Sequence, residues 1–241
     1  MASEYGDGSA ANRPVILCVA GFGDDASMFD ALVAEPIADT HQILPLDLPG
    51  FGLPAMTDGT SLEKLARFVA ARAAETGATI IAAHSVASII ASLAARMPGS
   101  RITRILSLEG NITAEDAYFS GTAADFDDPQ SFRSAFLSRL ADMSVGSPIF
   151  QRYRGVVAKA DPTALWQLGI DARRFSAQSV PGEVLSSAAD VTYFYNPVNC
   201  PQTTLDWLAV NPMGRVVLKD ASHWPSVDAP RMLSERMAEV L

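Results

Sequence analysis

The sequence predicts an α/β protein built on a mostly parallel sheet, and three observations carry the prediction. Six short runs rich in apolar and β-branched residues, at 15–20, 42–46, 79–83, 102–108, 191–195 and 215–218, show little alternation, as strands covered on both faces do. Helical patterns lie between them, and strand-helix-strand repetition implies parallel neighbours joined by crossovers. Finally, 241 residues with 49% apolar and 19% charged side chains suffice for a substantial core and exclude disordered, collagen-like and coiled-coil sequences.

Taken in order, residues 1–13 contain Glu4 and Asp7 and lack a basic start, and the apolar run after Pro14 is too short to span a membrane. They read as a frayed tail with no signal peptide. A helix is expected over 61–75, with Leu62, Leu65, Phe68 and Val69 on one face, and another over 86–96 ahead of Pro98. Between Asn111 and Ala189 no comparable strand occurs. Instead Asp128-Pro129, Ser147-Pro148 and Asp161-Pro162 each pair a capping side chain with Pro at the first helical position. This stretch holds nine of the nineteen aromatic residues, so it needs an apolar seat, and the carboxyl edge of the sheet is the available one. The expected organisation is a tail at 1–13, a core at 14–111 and 190–241, and a helical cap at 112–189.

Lys and Arg total 18 against 27 Asp and Glu, for a net charge of −9 and a pI near 4.7. With lysine only at 64, 159 and 219, the chain has no basic face for nucleic acid or for an anionic membrane. Two cysteines, Cys18 and Cys200, give neither a disulfide framework nor a CxxC metal site, which fits a reducing cytoplasm.

In an open α/β sheet, ligands bind at the carboxyl ends of the strands. The third run is followed by Ala83-His84-Ser85-Val86-Ala87. A Ser at a sharp strand-to-helix turn holds its hydroxyl clear of the backbone, so Ser85 is a candidate nucleophile; a plain helix cap is the other reading. Of three histidines, His41 opens the second run at the amino edge, and His84 should point away from its neighbour Ser85. His223, in Ala221-Ser-His-Trp-Pro225 after the last run, is left as the general base, unless it is an ordinary loop histidine.

Gly21-Phe22-Gly23-Asp24-Asp25 follows the first run. Its turn can aim the Phe22 N–H at a developing oxyanion, paired with the N–H of Val86. Gly21-x-Gly23-x-x-Ala26 also satisfies a dinucleotide-binding pattern, with Asp47 as the ribose acid. Asp24 and Asp25 would repel a pyrophosphate there, which favours the oxyanion reading. No carboxylate ends the fifth run, where Tyr195-Asn196-Pro-Val-Asn199 stands, whereas Glu109 ends the fourth. Glu109 is the candidate acid partner of His223, with a structural salt bridge or cap as its alternative. Asp47, Asp206 and Asp228 lie less favourably, the last near the start of the final helix, where capping is the simpler role.

Ser85, Glu109 and His223 in this chain order resemble the α/β-hydrolase family. Leu46-Asp47-Leu-Pro49-Gly50-Phe-Gly52 looks like the loop after the second core strand of capped members, and His223-Trp-Pro225 with Asp228-Ala-Pro230 resembles their histidine loop and last helix. The resemblance spans about 14–241 and implies a doubly wound α/β-hydrolase fold with a helical cap. Three departures stand out: the first antiparallel hairpin has no counterpart, alanines replace the elbow glycines, and the acid follows the sixth family strand instead of the seventh. A nucleophilic Ser also argues against dehalogenase and epoxide hydrolase chemistry, which use Asp. The expectation is therefore a serine hydrolase acting on a small apolar carboxylic ester or related acyl compound, with no metal or organic cofactor. Alternatives on the same fold are a cofactor-independent C–C hydrolase, perhydrolase or oxygenase, or a non-catalytic ligand-binding protein. A nicotinamide-dependent short-chain reductase is disfavoured, because Val157 stands four residues after Tyr153 where that chemistry needs Lys.

Overall fold

The computed structural model describes residues 13–241. All of the expected tail except Arg13 lies outside the described residues. Six strands form the sheet: β1 (Val15–Val19), β2 (Gln42–Leu46), β3 (Ile80–His84), β4 (Arg104–Leu108), β5 (Asp190–Tyr195) and β6 (Gly214–Val217). Their spatial order is β2-β1-β3-β4-β5-β6, and every neighbouring pair is parallel. The chain winds outward from β1 to β2, then returns across β1 and winds the other way. This doubly wound topology places its switch point between β1 and β3, where two loops diverge and open a crevice at the carboxyl edge.

Burial separates centre from edge in a way the apolar runs did not. Residues 16–19, 81–84 and 105–108 are buried throughout, whereas Gln42 is exposed and β6 is mostly solvent-facing, with Val217 at 49% exposure. The expectation of strands covered on both faces therefore holds for the centre and fails at the two edges, where apolar composition serves pairing on one side only.

Helix α1 (Leu62–Thr76) starts where the Ser61 side chain accepts the Lys64 N–H at 3.2 Å and stops at Gly77, which takes a left-handed φ of 73°. It packs on α2 (Ala87–Ala95), which is apolar on nearly every side and buried accordingly. Between β4 and β5 the chain forms two short 3-10 segments and then α3 (Pro129–Met143), α4 (Pro148–Val157), α5 (Pro162–Gln178) and α6 (Pro181–Ser186). The three expected starts are all realised: Asp128, Ser147 and Asp161 each accept a backbone N–H from the first turn of their helix. Helix α6 was not anticipated, and Val180 before it provides no side-chain cap. Helices α7 (Gln202–Val210) and α8 (Pro230–Ala238) complete the chain.

The aromatic residues of 112–189 do find their seat at the carboxyl edge. Phe22, in the loop after β1, lies 6.2 and 5.8 Å from Phe132 and Phe136, and Trp224 lies 4.9 Å from Tyr153. No helix among the described residues is long and apolar enough to cross a membrane.

Candidate active site

Ser85 sits directly beyond β3 with a left-handed φ of 54°, a conformation that costs a non-glycine residue roughly 1–3 kcal/mol. Local bonds hold it there. Its N–H continues the sheet ladder onto Leu108 O at 3.0 Å, and its carbonyl accepts the Ser88 N–H at 3.0 Å and the Ser88 hydroxyl at 2.6 Å. Ala83 and Ala87 are fully buried on either side. Ser85 is the one residue of 81–90 that is not fully buried. Nor does it cap α2, whose N-cap is Val86.

The loop after β1 approaches this elbow closely. A Cβ on Gly21 would fall 2.6 Å from His84 Nδ1 and 3.0 Å from the Ser85 Cβ, so only glycine lets the loop lie there. Phe22, the next residue of the loop, lines the same cavity as Ser85. The dinucleotide alternative loses its physical basis, because the turn leads into a four-residue 3-10 segment, Ala26–Phe29, with no long helix to present. Asp25 caps that segment, and the buried Asp24 carboxylate pairs with Arg152 of α4 at 2.8 and 2.9 Å. Asp47, the supposed ribose acid, accepts the Ala26 N–H at 2.9 Å and so braces the same loop from the β2 side.

Glu109 directly follows β4, also left-handed at φ 49°, and is buried. Its Oε1 accepts the Asn196 N–H at 2.6 Å and the Asn199 side-chain N–H at 3.1 Å, leaving Oε2 facing His223 Nδ1 at 3.6 Å, just past hydrogen-bond length. It makes no hydrogen bond to the helical segment, which removes its capping alternative. Burial pushes the Glu109 carboxyl up to about 7 against the two amide donors, which favour the ionised form. Burial also pushes His223 down to about 4, so its imidazole is neutral at ordinary pH.

His223 is no ordinary loop histidine: its side chain is 12% exposed. Three residues that were given lesser roles or none hold its loop. Asp228, expected to cap the last helix, instead accepts the Ser222 N–H at 2.8 Å. Asn196 and Asn199 both donate to Ala221 O, at 2.8 and 3.2 Å. His84 likewise does not stand apart. Its Nε2–H donates to the His223 carbonyl at 2.7 Å, its ring lies 4.8 Å from the His223 ring, and burial pushes it down to about 3, so it stays neutral. Of the other candidates, exposed Asp206 pairs with Gln202, and His41 lies at the amino edge as expected.

Ser85, His84 and His223 line one cavity of about 10 Å³ together with Phe22, Tyr118, Phe119, Tyr153 and Trp224. A larger, open groove of about 770 Å³ lies beside it between the 50–55 loop and α4, lined by Asp24, Asp47 and Lys159. Among the described residues, no cluster of three or more His, Cys, Asp or Glu side chains is placed to hold a metal ion.

The sheet is parallel and doubly wound, a strained serine ends a central strand, and a histidine faced by a buried carboxylate lines the same cavity as that serine. A sequence model of the alpha/beta hydrolase family matches residues 16–236, and the chain belongs to that family. Among solved structures, a thermophilic esterase from Thermogutta terrifontis is similar with a TM-score of 0.71 at 17% identity, covering 94% of this chain and 89% of that one. A variant of AqdC, described as recognising and cleaving the ring of the Pseudomonas quinolone signal, has a TM-score of 0.72 at 13% identity, covering 95% and 91%. In sequence, 122 residues are 36% identical to the dihydrolipoyllysine-residue acetyltransferase component of the acetoin cleaving system of Cupriavidus necator. That match takes in 49% of this chain and 32% of the relative, so it spans about a third of the relative's length.

Proposed function

We propose that the chain is a serine hydrolase that cleaves a carboxylic ester or related acyl compound through an acyl-enzyme. The observation that carries the reading is the strained Ser85 at the carboxyl edge, sharing a cavity with His223, which Glu109 faces. His223 takes the hydroxyl proton as Ser85 Oγ attacks the acyl carbon, and the N–H groups of Phe22 and Val86 hold the oxyanion. The proton then passes to the leaving alcohol, and water, deprotonated by the same imidazole, releases the acid and restores Ser85. Glu109 orients the imidazole and stabilises its charged form. Helices of 112–189 act as a cap that keeps bulk water from the intermediate.

The test is labelling by a fluorophosphonate, read by intact mass, beside turnover of an ester panel. Labelling that vanishes in Ser85→Ala, together with ester turnover, supports the reading. A folded protein that binds esters without turnover or labelling refutes it and favours a ligand-binding role; turnover of another substrate class that survives Ser85→Ala assigns the site to chemistry without an acyl-enzyme.

A further inference from the structure

The buried ring of His84 touches three parts of the site at once. It belongs to the residue directly before Ser85 and is 2% exposed. Its Nε2–H donates to the His223 carbonyl at 2.7 Å, and the two rings lie 4.8 Å apart. Its Nδ1 lies against the loop after β1, so near Gly21 that a Cβ there would fall 2.6 Å from it. A carbonyl only accepts, so the proton of the neutral imidazole is on Nε2 and Nδ1 is a bare acceptor, buried and without a hydrogen-bond partner among the described residues. One buried hydrogen bond made and one buried acceptor left unpaired largely offset each other in stability. The fold by itself therefore gives little reason for an imidazole in this slot.

The position of His223 supplies one. Its Nδ1 is 3.6 Å from Glu109 Oε2, past hydrogen-bond length, so the carboxylate does not by itself hold the imidazole. The backbone of the loop is held instead: Asn196 and Asn199 donate to Ala221 O, Asp228 accepts the Ser222 N–H, and His84 donates to the His223 carbonyl. Of these bonds only the last acts on His223 itself, and only the last comes from a residue adjacent to Ser85. A rigid ring wedged against Gly21 therefore joins the elbow directly to the histidine. We propose that His84 is a positioning residue for acyl transfer, whose Nε2–H bond to the His223 carbonyl holds the His223 imidazole at working distance from Ser85. This rests on the serine-hydrolase reading above and goes beyond it by giving a role to a histidine that takes no proton in that mechanism.

The experiment follows p-nitrophenyl acetate turnover and inactivation by a fluorophosphonate in the wild type, His84→Phe, His84→Gln and His84→Asn, with urea unfolding to show that each is folded. Phe fills the slot without a donor; the amide nitrogen of Gln reaches as far as the imidazole Nε2, and that of Asn, one methylene shorter, does not. His84→Phe and His84→Asn should lower kcat and the limiting inactivation rate by about 10- to 100-fold with KM changed less than about twofold, and His84→Gln should recover all but about threefold of the loss. Wild-type rates in folded His84→Phe, or His84→Gln falling as far as His84→Asn, overturn the positioning role and leave the nucleophile assignment intact. A loss confined to KM also overturns it, because it would set His84 against bound substrate instead of behind His223. Absence of both turnover and labelling in the wild type overturns the serine-hydrolase reading, and this inference with it. Should His84→Phe fail to fold, the comparison of His84→Gln with His84→Asn decides alone.

Discussion

Replacing Arg152 by Met should destabilise the protein by about 3 kcal/mol. The Asp24 side chain is 1% exposed and accepts two guanidinium bonds, at 2.8 and 2.9 Å, plus the Asp25 N–H at 2.9 Å. Without Arg152 that carboxylate keeps one amide donor, and an uncompensated buried charge costs roughly 3–5 kcal/mol. The low end applies because Asp24 lines the open groove of about 770 Å³, so water can approach once the guanidinium is gone. Asp24→Asn should cost less, about 1–2 kcal/mol, because the Arg152 side chain is already 23% exposed and can turn its charge to water. The double variant has neither charge to strand, so its loss should fall short of the summed single losses by at least about 1 kcal/mol. Equilibrium urea unfolding followed by circular dichroism measures all three. A loss below about 1 kcal/mol for Arg152→Met, or simple additivity in the double variant, would show that the pair does not anchor α4.

Two further outcomes follow from the acid. Glu109→Gln should lower kcat by about three orders of magnitude or more with little change in unfolding, while Asp206→Asn, at an exposed residue paired with Gln202, should leave kcat nearly unchanged; the reverse result would return the acid to α7. In the proposed mechanism, turnover requires Glu109 ionised and His223 neutral. With burial holding Glu109 up to about 7 and His223 down to about 4, kcat/KM should rise with pH through about 7, and that limb should report Glu109 rather than His223. Asn199→Ala removes a donor that favours the carboxylate, so it should move the limb to higher pH; a limb that stays put in a pH–rate profile would assign it to another group.

What could be read in the sequence is what local chemistry fixes. Asp128, Ser147 and Asp161 announce their helices because a cap and a following proline need only neighbouring backbone, and all three cap as expected. The position of Ser85 follows from one strand end and the small residues beside it. Contacts distant along the chain were not legible. Nothing near Asp24 in sequence shows that Arg152 neutralises it, and the expectation of anion repulsion at that turn misjudged a carboxylate already paired. His84 was set aside by strand alternation, a rule that ends where the backbone leaves the extended region, and Ser85 is left-handed. The sequence also could not place β6 at an edge, since Arg215-Val-Val-Leu218 reads the same for a covered and an exposed strand.

The place of the proposed acid, Glu109, after β4 follows from how the strand ends interlock. Beyond each of β3, β4 and the edge strand β6 the ladder runs one residue further: Ser85 N–H to Leu108 O at 3.0 Å, Glu109 N–H to Phe194 O at 2.8 Å, and Leu218 N–H to Tyr195 O at 2.7 Å. Ser85 and Glu109 are both left-handed at that point, so each side chain leaves the sheet where its strand stops. Ser88 serves both turns, donating its hydroxyl to Ser85 O and accepting the Asn111 N–H at 3.0 Å. Gly110 makes that sharing possible, since a Cβ there would lie 2.6 Å from Ser88 Oγ and 2.1 Å from Ser107 Oγ. Ser85 and Glu109, the proposed nucleophile and acid, are therefore set by one linked pair of turns. The end of β5 is left to Asn196 and Asn199, which bind Glu109 with one set of N–H groups and the histidine loop with another. A carboxylate in place of either amide would remove a donor from Ala221 O, and at Asn199 it would also face Glu109, which is why amides stand where the resemblance led one to look for the acid.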